Sequence, residues 1–194
     1  MTVAQLLAAL ASPDPTPGGG TAAAIAGAMG TSLLVMVSGL AKSKNNLDDE
    51  KAALAAAKSA LEPIASRLIE LADADTQAFD QVMAAYRLPK ATDEDKTART
   101  RAIQAALRGA TEIPLETLRT CADALAHSRT VAEHGNQSAA SDVGVAIGLL
   151  GAAAEGAAAN VRINLTGLKD EAFTAATDAE TARLLAAAAG HQTR

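Results

Sequence analysis

Residues 21–41 form a run of 21 positions without one Asp, Glu, Lys or Arg. A helix built from such a run has no polar face and must be covered on all sides. The run is also as long as a membrane span. However, Gly27, Gly30, Thr31, Ser32, Ser38 and Gly39 dilute its apolarity, and only residues 138–160, broken by Asp142 and Glu155, are comparable. Two central helices in the core of a soluble protein are therefore expected. A membrane-associated helical protein is the alternative, resting on the first run alone.

The apolar residues are unusual in kind. Alanine contributes 50 of them, against 15 valines plus isoleucines, two phenylalanines, one tyrosine and no tryptophan. Alanine is the best helix former, whereas β-branched and aromatic side chains suit pleated sheets. The fold class is all-α. With 194 residues and no linker, repeat or low-complexity tail, the chain reads as one domain over 1–194.

Seventeen basic and 22 acidic residues argue against general affinity for nucleic acid or anionic membranes. Cys121 has no partner for an intramolecular disulfide, and His127, His134 and His191 lack the spacing of a metal site. Residues 1–11 carry no charge and lack the basic start of a signal peptide, so a cytoplasmic location is expected.

Thr2 and Gln5 form a capping-box pattern for a short first helix, which the proline- and glycine-rich stretch 12–20 stops. Residues 47–88 read as one long helix through Pro63. A second long helix begins after Thr92, with acids in its first turn, and passes Pro114 to stop at Gly135. Residues 138–160 form the second apolar helix, with 160–167 less regular. Thr177 and Glu180 suggest a capping box before a last helix ending near Gly190. A few amphipathic helices from one chain do not enclose two apolar ones, so a homodimer is expected, the partner supplying part of the cover.

One carboxylate stands on an apolar stripe. Helical steps of three and four give Ile64, Leu68, Leu71, Asp75, Ala78, Val82 and Ala85. The opposite stripe, Ser66, Glu70, Asp73, Gln77 and Asp80, is polar throughout. Asp73 and Asp80 are thus solvated acids, and Asp75 points at the core. A carboxylate there must be paired, hydrogen-bonded or protonated. Two readings stand level: a general acid–base, or a structural ion pair with an arginine such as Arg162.

Other candidates are less specific. Gly18, Gly19 and Gly20 lead into a helix N-terminus, whose free N–H groups suit an anion or polar ligand edge, or simply make a tight entry. Asp142 suits a site or a helix start, and Asn136, Asn160 and Asn164 suit caps and turns as well as ligand contacts. Lys90 suits the negative end of the long helix dipole. Tyr86 suits stacking on a ring or packing.

Taken together, the stretches Pro15-Thr16-Pro17-Gly18-Gly19-Gly20-Thr21-Ala22-Ala23-Ala24, Asp73-Ala74-Asp75 with Ala78-Phe79, Tyr86-Arg87-Leu88-Pro89-Lys90, Gly135-Asn136, Ser141-Asp142 and Asn160-Val161-Arg162-Ile163-Asn164-Leu165 resemble the cyclodeaminase/cyclohydrolase family of folate enzymes. The match spans nearly the whole chain in the family's order. It departs at residues 41–46, where many relatives carry a Gly-Lys-Lys or Gly-Arg-Arg tract and this chain has Ala-Lys-Ser-Lys-Asn-Asn. The resemblance implies an all-helical dimer with Asp75 as the catalytic acidic residue. Its implied ligand is a tetrahydrofolate derivative, with no further cofactor and no metal. Gly18, Gly19, Gly20, Lys90, Asn136, Asp142 and Asn164 become its candidate contacts. The implied reaction is hydrolysis of 5,10-methenyl- to 10-formyltetrahydrofolate, or alternatively release of ammonia from 5-formiminotetrahydrofolate. A non-catalytic folate-binding homologue is the third reading.

Overall fold

The computed structural model describes residues 1–40 and 47–192, and every regular element among them is helical. The elements are α1 (Val3–Leu10), α2 (Gly19–Gly39), α3 (Asp48–Tyr86), α4 (Asp93–His134), α5 (Ala140–Leu165) and α6 (Glu171–Gln192), with a single 3-10 turn at Gln137–Ala139. The 42–46 part of the departure from the family tract lies outside the described residues, as does Ala41.

Helices α2 to α5 pack as a four-cornered bundle in which α2 touches α3 and α5, and α4 touches the same two. Glycine spacing lets α2 come close to its neighbours. A Cβ on Gly27 would meet the Cys121 sulfur, and one on Gly30 would meet the Ala146 carbonyl and Leu150. The core between the helices holds Leu34, Leu61, Leu68, Leu71, Leu118, Leu125 and Leu150, all completely buried. Leucines fill the volume that the alanines leave open.

Contacts along the helices fix their directions. Gly20 abuts Asp75, Gly27 abuts Leu68 and Gly39 abuts Lys58, so α2 and α3 are antiparallel. Gly19 lies by Asn160, Gly156 by Ala23 and Gly135 by Val37, so α5 also runs antiparallel to α2. These pairings define two ends of the bundle, separated by the length of α2, about 30 Å.

The capping boxes at Thr2 with Gln5, and at Thr92 with Asp95, are both formed. Two sequence expectations are corrected. The segment 160–165 is regular helix, because Asn160 donates to the Gly156 carbonyl and Asn164 to the Ala110 carbonyl rather than to turns. The last helix does not start at Thr177. It starts at Glu171, where Asp170 accepts from the Phe173 N–H and is held by Arg108 of α4 at 3.1 Å. Thr177 is buried at mid-helix, and Glu180 makes a two-pronged bond to Arg119, both contacts 2.8 Å.

The two apolar helices, expected at the centre, stand instead at adjacent corners of the bundle and are not enclosed. On α2, Met29 and Met36 remain 55% and 42% exposed, and on α5, Val145 and Ile163 remain 55% and 65% exposed. All four belong to stripes at helical spacing, Ile25, Met29, Ser32 and Met36 on one helix and Val145, Gly148, Ala152, Glu155, Ala159 and Ile163 on the other, apolar except at Ser32 and Glu155. The α2 stripe points away from α3 and the α5 stripe away from α4, so together they form one outer face. Both helices are long and apolar enough to cross a membrane, with 56% and 44% of their apolar windows buried within the bundle.

Candidate active site

Helical phase places the α3 stripes as the sequence requires. Leu68, Leu71, Val82 and Ala85 are buried, Ser66, Glu70, Asp73, Gln77 and Asp80 are exposed, and Asp75 is half-buried among the first group. Seven-residue steps back from Leu68 reach Leu61 and Leu54, both buried, and Leu47, just before the helix and exposed.

Asp75 faces the first turn of α2. The Thr21 hydroxyl donates to Asp75 Oδ2 at 2.9 Å, and Thr76 Oγ1 lies 3.4 Å from the same hydroxyl. The other carboxylate oxygen rests against Gly20, where a Cβ would overlap Oδ1 outright. Glycine is needed here for close approach, since no other residue lets the carboxylate reach the backbone. The structural alternative is not what forms, because Arg162 pairs with Asp178 at 3.4 Å. Asp75 is held by a neutral hydroxyl instead.

The remaining candidates divide between the two ends of the bundle. Gly18, Gly19 and Gly20 stand beside Asp75, with Gly18 at the N-cap of α2. Asn160 completes this end, its amide facing Gly19. Asn164 lies one turn further along α5, its amide committed to the Ala110 carbonyl at 2.7 Å. Lys90 is exposed beyond the end of α3, at least about 15 Å of helix past Asp75. Asn136 and half-buried Asp142 lie at the opposite end, where Gly135 abuts Val37 and the Asn136 side chain accepts from the Ser138 N–H. Sequence reasoning missed Thr21. Its signal was a hydroxyl in the first turn of a helix whose neighbouring residues already stood out.

A cavity of 590 Å³ lies between α4, α5 and α6 and is lined by residues such as Arg129, Glu133, Ile147 and His191. Asp75 does not line it. The carboxylate is half-buried between the first turn of α2 and α3.

The helical bundle presents a hydroxyl-anchored carboxylate beside a glycine-rich helix start, an arrangement whose chemistry suits accepting and returning a proton. Residues 2–183 match the family described as Formiminotransferase-cyclodeaminase, and the chain belongs to that family. It is 44% identical to a methenyltetrahydrofolate cyclohydrolase of Methylorubrum extorquens, over 89% of this chain and 83% of that one. It is 34% identical to the formimidoyltransferase-cyclodeaminase of Gallus gallus over 87% of this chain, which spans 31% of that larger protein. The crystal structure of formiminotetrahydrofolate cyclodeaminase from Thermotoga maritima superimposes with a TM-score of 0.87 at 29% identity, covering 99% of this chain and 92% of that one.

Proposed function

We propose that this chain is a methenyltetrahydrofolate cyclohydrolase in which Asp75 is the general base. The observation that carries the reaction class is the half-buried Asp75 carboxylate, fixed by Thr21 at the start of α2 and packed against Gly20. The choice within the class rests on the 44% likeness to a protein of that name, matched over most of both lengths.

In this reaction water attacks the bridge carbon between N5 and N10. Asp75 accepts a proton from that water as the C–O bond forms. The tetrahedral carbinolamine then collapses: the C–N5 bond breaks, the hydroxyl proton moves to N5, and the formyl group stays on N10. One proton is released overall. Before the attack, the ionised carboxylate also stabilises the cationic bridge carbon. Gly18, Gly19 and Gly20 let the backbone approach the flat pterin, and Asn164 and Lys90 contact more distant parts of the ligand.

The active unit in this reading is a soluble, cytoplasmic homodimer formed across the exposed α2–α5 face. A two-fold axis lying in that face and across its helices exchanges its ends. It carries Asn136 and Asp142 of one chain to Gly19 and Asp75 of the other. Candidate residues that a single chain keeps about 30 Å apart are thereby brought to the same end of the assembly.

Asp75→Asn tests the reading. Turnover of 5,10-methenyltetrahydrofolate should fall by about 10²- to 10⁴-fold in a folded variant, read as loss of the decrease in methenyl absorbance. Unchanged turnover refutes the role. The second reading, cyclodeaminase, is favoured by the likeness to the Thermotoga maritima structure. The same absorbance would then rise when 5-formiminotetrahydrofolate is supplied.

A further inference from the structure

Buried hydroxyls in this protein are usually satisfied within their own helix. Thr31 donates to Gly27, Ser38 to Leu34, Thr111 to Leu107 and Thr181 to Thr177, each to the carbonyl one turn back at 2.7–2.8 Å. Thr21 is 6% exposed but lies in the first turn of α2, where no helical carbonyl stands one turn back. Its proton crosses to another helix, to a residue 54 positions away.

From this geometry we infer that Thr21 is the positioning residue for Asp75, holding Oδ2 so that Oδ1, beside the bare Gly20 backbone, is the oxygen that exchanges protons with the reacting ligand. An ionised carboxylate only accepts hydrogen bonds, so the single Thr21 proton is directed to Oδ2. The Thr21 oxygen can then only accept from Thr76, giving one direction of donation from Thr76 through Thr21 to Asp75. A carboxylate tied at one oxygen cannot rotate about its terminal torsion, which is broad and weakly restrained in a free Asp. The free oxygen thus keeps one orientation through the reaction, and small misplacements of a reacting group lower rate steeply.

The inference rests on Asp75 being the base, and a set of variants separates the two claims. Thr21→Val keeps the shape and removes the hydroxyl. Thr21→Ala removes it without requiring a branched side chain to pack. Thr21→Ser keeps the hydroxyl and removes the methyl. With 5,10-methenyltetrahydrofolate as substrate, the valine and alanine variants should lose about tenfold or more in kcat with KM changed less than about twofold, and the serine variant should stay near wild type. Added to Asp75→Asn, Thr21→Val should cause no further loss, because the group it positions is gone. A purely structural role would give the reverse order, with serine worse than valine and the loss following melting temperature. If Asp75→Asn is inactive while Thr21→Val and Thr21→Ala keep wild-type kcat, the positioning role is overturned and the base survives. If Asp75→Asn is fully active, the function reading itself has failed.

Discussion

At Gly20 the absence of a side chain is the structural element. The Asp75 carboxylate occupies the space a Cβ would need, so Gly20→Ala must push it away from Thr21 or force α2 and α3 apart. We expect a stability loss of about 1–3 kcal/mol by thermal melting, together with a fall in kcat of tenfold or more. Gly144 and Gly148 on α5 contrast with it, since an added Cβ there meets nothing within 4 Å among the described residues. Alanine at Gly144 or Gly148 should leave the isolated fold intact.

Among the elements, α3 shows most directly how periodicity carries meaning. Asp73, Asp75 and Asp80 are chemically identical, yet only the helical phase of Asp75 brings it to α2. α6 shows the opposite, because Thr177 and Glu180 mimic a cap that an earlier Asp170, fastened to α4, makes unnecessary. Glu180 instead joins α6 to α4. The Arg119 guanidinium bound to it holds its carboxyl below the usual carboxylate range. A depressed folded value means the bond stabilises fully above the ordinary range and is lost as pH falls through the folded value. Glu180→Gln should therefore be less stable than wild type at neutral pH, and the two denaturation midpoints should converge in acid. A constant difference down to low pH would assign Glu180 a packing role instead.

For the whole molecule, the question is what covers the α2–α5 face. Scattered apolar exposure is ordinary, but here two adjoining helices expose stripes that are apolar except at Ser32 and Glu155. Met29→Glu with Val145→Glu should give a folded monomer by sedimentation and remove turnover. Mixing inactive Asp75→Asn with inactive Asp142→Ala offers a sharper check. If each site takes Asp75 from one chain and Asp142 from the other, hybrids contain one intact site, and about a quarter of wild-type activity returns on statistical reassociation. No recovery would mean that each chain carries its own complete site.

Much of this arrangement was legible in the residues. Alanine content, one uncharged run and one nearly uncharged run dictated largely buried helices, and the 3.6-residue period by itself singled out Asp75, because phase is a local property of the backbone. The resemblance to folate enzymes likewise needed only residues in order. What the sequence left open depends on which helices meet. Only the tertiary structure decided that Thr21 rather than Arg162 holds Asp75, since that bond joins positions 54 residues apart. It also decided that Asp142 and Asp75 lie at opposite ends of one chain, because α2 runs antiparallel to both α3 and α5. Helix directions follow from side-chain packing across the whole core, and no local pattern encodes them.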